Sequence, residues 1–291
     1  MYEFFINETV TMVNEALGEG YIAKLQKVTK NNGVIYDAIC ILEENSNISP
    51  TIYLNPFFMQ FLAGRDISEI VEEIISIHKK NAISHFDTAS FVDFSKVSEN
   101  ICFRLVNTKK NKELLKDLPH RNFLDLSIIY YVNVDSIDGC TGSITIHNSH
   151  AKMWGVLEED LYNTASINTK RIRPARLRDL CETMFEITHV EEALHNDCYL
   201  YILNCKENFG ASTILYDDTP DMLANIFGKN LWLIPSSTEE WLIFPDVDSM
   251  DSYTLQKMIL EVNSEKLSDE EVLSDHPYYF NYQTREITME D

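Results

Sequence analysis

Residues 21–42 read YIAKLQKVTKNNGVIYDAICIL, two β-rich runs on either side of Asn31-Asn32-Gly33. Asn and Gly tolerate the positive φ that a tight reversal requires, so this is a hairpin signal that sets the two runs antiparallel. The other segments fit a chain built that way. "PTIYLN", "ICFRLVN", "FLDLSIIYYVNV", "SITIHN", "CYLYILN" and "ASTILY" read as strands. "LWLIP" and "EWLIFP" are a further pair around a turn at Ser236-Ser237, and "HPYYFNYQTREI" reads as a closing hairpin. Helical spacing alternates with these runs. Ile6, Val10, Val13 and Leu17 recur on one face, with Gly18 as the stop. After the cap Asp66, the positions Ile67, Ile70, Val71, Ile74 and Ile75 follow the i, i+3, i+4, i+7, i+8 pattern. Shorter helices are expected in "NPFFMQFL", "KKNKELLKDL", "LEEDLYNTASIN", "ARLRDLCETMFEI" and "LQKMILEV", and in "TPDMLANIFG" with Thr219 as its cap and Gly228 as its stop. The expected class is α+β, with mixed, mostly antiparallel sheets and flanking amphipathic helices, rather than a doubly wound parallel sheet. A division into residues 1–118 and 119–291 is one reading, and a single continuous domain is the other.

With 291 residues and 45% hydrophobic content, the chain can bury a large core without disulfides or metals. No Gly/Ser-rich stretch marks a linker. No apolar run approaches the ~20 residues that cross a bilayer, and the opening "MYEFFINETV" lacks the basic start of a signal peptide. Cys40, Cys102, Cys140, Cys181, Cys198 and Cys205 form no C-x-x-C pair, which suits reduced thiols in a cytoplasmic protein. The extreme feature is charge: 46 acidic against 24 basic residues give a net −22. That surface repels phosphate backbones, so no direct nucleic-acid binding is expected, nor any membrane contact. It favours a basic protein partner. Acids spread over helix faces serve solubility, and an acidic mimic of DNA that inhibits a DNA-binding protein is the sharper alternative.

The densest group of polar side chains is "ITIHNSHAKMWG", residues 144–155. On a strand His147 and His150 would face apart, so they converge only if the chain turns at Asn148-Ser149. Asn and Ser make such turns and cap helices, so a strand end that satisfies loose backbone groups is the first reading. A binding surface with His147, Asn148 and Trp154 is the second. Zinc would need at least a third protein ligand, and no spacing singles out Cys140 for it. His189 and His195, six apart, do not share a helical face. In "LPHRNF", His120 and Arg121 precede a β run; Arg121 could grip an anion in a bidentate manner or pair with Asp117 or Asp125 nearby. No nucleophile elbow surrounds Ser236 or Ser237, and no phosphate-cradling glycine loop occurs among nine glycines. No cofactor or metal is expected.

The segments "KNNGV", "ISPTIYLNPFF", "PHRNFLDL", "IHNSHAKMWGV", "YILNCKENFGAS", "LWLIPSSTEE" and "EVNSEKLSDEEVLSD", in this order and spanning nearly the whole chain, resemble an uncharacterised bacterial family, the domain of unknown function DUF5688. The resemblance implies an intracellular bacterial protein of α+β type, common in anaerobic gut bacteria, and implies no activity. The chain departs from the pattern at Leu157, where a small capping residue would be expected after Gly155-Val156. Taken together, these readings lead to a non-enzymatic, protein-binding protein, with His120, Arg121, His147, Asn148, His150 and Trp154 as the binding residues. A hydrolase of unfamiliar type using His147 or His150 is the alternative.

Overall fold

The computed structural model describes residues 1–44, 49–81, 91–135, 141–188, 199–206, 208–246 and 250–290. The chain is α+β, and among the described residues the strands form three sheets in which every registered pair is antiparallel. Two compact units result: Met1–Lys30 with Val34–Lys96 and Asn133–Ser143, and Asn31–Gly33 with Val97–Val132 and Ile144–Asp291.

In the first unit, β1 (Tyr21–Thr29), β2 (Ile35–Glu43) and β3 (Thr51–Tyr53) form one sheet in the order β1-β2-β3. The Asn-Asn-Gly reversal closes with Thr29 opposite Ile35, and both Asn32 and Gly33 take positive φ. Helix α1 (Tyr2–Leu17) ends at Gly18, as its spacing predicts. Helix α2 (Asn55–Leu62) starts with Pro56 in its first turn. Asp66 accepts the Ser68 N–H at 2.9 Å and heads α3 (Ile67–Asn81). Ile70, Val71 and Ile74 of α3 are buried with Phe5 and Val13 of α1 and Ile39 of β2, so the predicted helical stripe faces the core.

The second unit holds the other two sheets apart from Asn133–Asp135 and Thr141–Ser143. β4 (Ile101–Asn107), β5 (His120–Phe123) and β6 (Leu126–Asp135) run in the order β4-β6-β5, and β7 (Thr141–Thr145) also pairs β6. Because β4 occupies one edge of β6, β5 and β7 share the other, with the Ile146 N–H reaching Tyr130 O at 2.9 Å. The outer edge of β4 is met by side chains: Phe103 N–H donates to Thr169 Oγ1 at 3.0 Å and Leu105 N–H to Ser212 Oγ at 3.2 Å. Between β4 and β5 lies α4 (Lys112–Leu115), and after β7 come α5 (Asn148–Trp154) and α6 (Glu158–Ile172). The last sheet has the order β13-β12-β10-β11-β9-β8: β8 (Arg176–Asp179), β9 (Tyr201–Asn204), β10 (Leu231–Ser237), β11 (Glu240–Pro245), β12 (Tyr278–Phe280) and β13 (Ile287–Met289). Helices α7 (Leu180–Thr188), α8 (Thr219–Phe227) and α9 (Ser252–Glu265) complete it.

Five local readings change. "FLDLSIIYYVNV" is not one run: it folds back at Leu124, whose φ is +56°, while the Asp125 carboxylate accepts the Ser274 hydroxyl at 2.7 Å and also the Tyr278 hydroxyl. Arg176–Asp179 is strand rather than helix because it takes the open edge of β9. "ASTILY" forms a buried 3-10 helix, Gly210–Leu215; a short apolar run does not by itself distinguish strand from buried helix. Thr219 is the first residue of α8 rather than its cap, and its hydroxyl donates to Thr213 O at 2.7 Å. The β10–β11 turn is Thr238-Glu239, not Ser236-Ser237, with Glu239 N–H donating to Ser237 Oγ at 3.0 Å.

Candidate functional site

The turn at Asn148 that would bring the two histidines together is present. β7 ends, α5 begins at Asn148, and the rings of His147 and His150 stand 5.5 Å apart, edge to face. His147 N–H donates to His150 Nδ1 at 3.2 Å, closing the first turn of the helix. The loop after α4 meets the same corner: Asp117 Oδ2 lies 2.7 Å from His147 Nδ1, Asn148 N–H donates to Asp117 O at 2.8 Å, and Asn148 Nδ2 donates to Lys116 O at 3.2 Å. Burial holds the His150 imidazole below its ordinary pKa, and the neighbouring His147 adds to the effect. Trp154 follows one helical turn on, its ring 5.8 Å from that of His150. A carboxylate on an imidazole also orients catalytic histidines. Here the same residues are bonded to one another through backbone groups that a strand end and a helix start leave open.

Arg121 and His120 are held separately. Arg121 grips Glu158 with Nε at 3.2 Å and Nη2 at 3.0 Å, reaches Glu159 at 2.6 Å, and lies 4.0 Å above the Tyr162 ring. Its partners are therefore on α6, not Asp117 or Asp125. Those glutamates hold the guanidinium well above its ordinary pKa. The Tyr130 hydroxyl, on a fully buried residue, donates to the same Glu158. His120 Nδ1 contacts Leu118 O at 2.8 Å. At the departure from the family pattern, Leu157 caps nothing with its side chain; Asp160 instead accepts the Leu157 N–H at 2.9 Å. Cys140, His189 and His195 lie outside the described residues. Among the described residues, no group of three or more His, Cys, Asp or Glu could hold a metal ion.

An apolar groove lies elsewhere, on the six-stranded sheet. Along β10 and β11, Leu233, Trp241 and Ile243 are fully buried on one face. Ile234 and Leu242, directly opposite one another, point to the other face together with Phe244. Helix α9 covers that second face in part with Leu255 and Ile259. What remains is a groove of about 670 Å³, bordered by Met258, Val262, Tyr199 and Lys229. Met258 is 51% exposed, Val262 44% and Tyr199 68%.

A family model matches residues 2–282. The chain belongs to the family of unknown function DUF5688. No curated protein and no solved structure matches it. In this DUF5688 chain the segments "PHRNFLDL" and "IHNSHAKMWGV" are the β5–β6 hairpin and the β7–α5 corner, both parts of the frame just described. The groove was missed from sequence because Met258 and Val262 continue the apolar stripe of α9, and a stripe does not say which of its members meet a neighbour. The usable signal was in the strands, where "LWLIP" and "EWLIF" are apolar at successive positions and so present two apolar faces.

Among the described residues no helix is long and apolar enough to cross a membrane. Among the described residues, Cys40 and Cys102 form no disulfide.

Proposed function

We propose that this chain is a non-enzymatic interaction protein whose groove between α9 and the β10–β11 face receives an apolar segment of a basic protein partner. One observation carries the reading: among the described residues, the second face of β10 and β11 is apolar and only partly covered. Contiguous apolar surface left open to water marks contact sites more often than it marks packing. The partner's sign comes from charge. A chain at net −22 steers cationic partners towards it and repels anionic ones. His120, Arg121, His147, Asn148, His150 and Trp154 have a supporting part in this reading, since intrachain contacts occupy their side chains.

The test is affinity capture from native cell extract at low and moderate salt, comparing the wild type with Met258→Asp/Val262→Asp. Both positions are about half exposed, so the double variant should fold with an unchanged circular dichroism spectrum. A basic protein retained by the wild type and depleted at least tenfold by the variant is the expected result. Equal capture by both proteins, or none by the wild type, counts against the groove.

A further inference from the structure

The pairing of β4 with β6 sets Cys102 opposite Tyr131 and Arg104 opposite Ile129. Side chains alternate along strands, so Cys102, Arg104, Tyr131 and Ile129 share one face of that sheet. Arg173, just past the end of α6, and Phe209, just before the 3-10 helix, lie over it. The Arg104 guanidinium carbon is 4.6 Å from the Phe209 ring centre. That of Arg173 is 5.8 Å from both the Phe209 and the Tyr131 rings, which are themselves 5.3 Å apart. Both guanidinium groups therefore lie against the Phe209 ring.

Their partners differ. Arg173 donates from Nη1 to Asn208 O at 2.8 Å. Among the described residues the Arg104 guanidinium donates no hydrogen bond and forms no ion pair, and its Nε is buried without a partner. The Tyr131 hydroxyl is also buried, with the Arg173 guanidinium and the Cys102 thiol as its neighbours. The Glu239 carboxylate accepts the Phe209 N–H at 2.9 Å. Burial raises its pKa, which marks a site poor in water. The same desolvation pushes the Arg104 guanidinium down, with Tyr131 and Glu239 acting against it.

Withdrawing a charge from water costs several kcal/mol even after relaxation, whereas a cation–π contact returns about 0.5–2 kcal/mol. Neither the contact with Phe209 nor the Glu239 carboxylate, which forms no ion pair with Arg104, closes that gap; an anion bound directly to the guanidinium would. Arg104 is also only partly buried as a residue, so part of it stays within reach of solvent. The Phe209 side is held in place by an unusual backbone. Phe209 has φ +69°, and Gly210 passes so close to the β10–β11 turn that a Cβ there would stand 2.2 Å from Glu239 O.

We propose that Arg104, on the Phe209 side of this sheet face, binds a small oxyanion, the phosphate or carboxylate group of a ligand entering from solvent. A guanidinium offers paired N–H donors to two oxygens of such a group. The site is independent of the apolar groove and reverses, locally, the sign of a strongly acidic molecule.

Isothermal titration calorimetry on the full chain, with inorganic phosphate and separately with succinate at fixed ionic strength, tests it, with sodium chloride as the control. Saturable one-site binding of at least one of the two anions is expected, with phosphate alone identifying a tetrahedral ligand and succinate alone a carboxylate. Arg104→Lys, which keeps the charge but loses the fork, should weaken that binding about tenfold, and Arg104→Met should abolish it. Absence of saturable heat with both anions overturns the proposal whatever the variants do. So does binding that is unchanged in Arg104→Lys and Arg104→Met.

Discussion

At the scale of single residues, what a position tolerates depends on what its backbone approaches. Gly210 and Gly228 show the contrast. Gly228 ends α8 with φ +62° and has nothing within 4 Å of a would-be Cβ, so Gly228→Ala incurs only the left-handed penalty, about 1 kcal/mol. Gly210 has an ordinary φ, but its Cβ would sit 2.2 Å from Glu239 O and 2.9 Å from Cys205 N, both backbone atoms that cannot swing aside. Overpacking of this kind costs about 1–3 kcal/mol and can exceed that. Urea denaturation is expected to show Gly210→Ala losing at least twice the stability that Gly228→Ala loses; equal losses would mean that the chain around Phe209 relaxes freely.

At the scale of elements, Glu158 is the junction. It takes Arg121 from β5, Tyr130 from β6, and sits in the first turn of α6. Glu158→Ala would leave a buried hydroxyl without its acceptor, a loss of about 1–3 kcal/mol, and release the Arg121 fork as well. Glu158→Gln keeps an acceptor for Tyr130 and should recover about half of the loss in thermal denaturation. How far the sequence disclosed these elements follows from how local their causes are. Helices α1 and α3 and the Asn-Asn-Gly reversal rest on periodicity, a stop glycine, a cap and positive φ, all written within a few residues, and they form where expected. The turn at Leu124, the strand at Arg176–Asp179 and the 3-10 helix at Gly210 rest on partners more than twenty residues away, such as Tyr278, Tyr201 and Trp241, whose indole donates to Ala211 O at 2.7 Å. The site divides the same way. The His147–Trp154 corner was visible because its polar residues are consecutive. The Arg104 cluster was not, because its members come from β4, β6, the end of α6 and the loop before Gly210.

At the scale of the whole molecule, the question is which pieces can stand alone. Neither residues 1–118 nor 119–291 keeps the middle sheet intact, since Ile101–Asn107 pairs along Leu126–Val132. Six of those seven β4 residues are buried. Expressed separately, the two fragments are expected to aggregate or remain unfolded, with dispersed amide resonances recovered only when both are present. A dispersed spectrum from 119–291 alone would favour two autonomous domains.

The hydroxyls of Thr169 and Ser212 have a consequence beyond the sheet they touch. An unpaired strand border invites copies of itself to add on, the first step towards fibres. On β4 two N–H groups that a stray chain would need are already claimed from within the same molecule. Growth of that kind would have to displace both hydroxyls, together with the helix and 3-10 segment that carry them against β4.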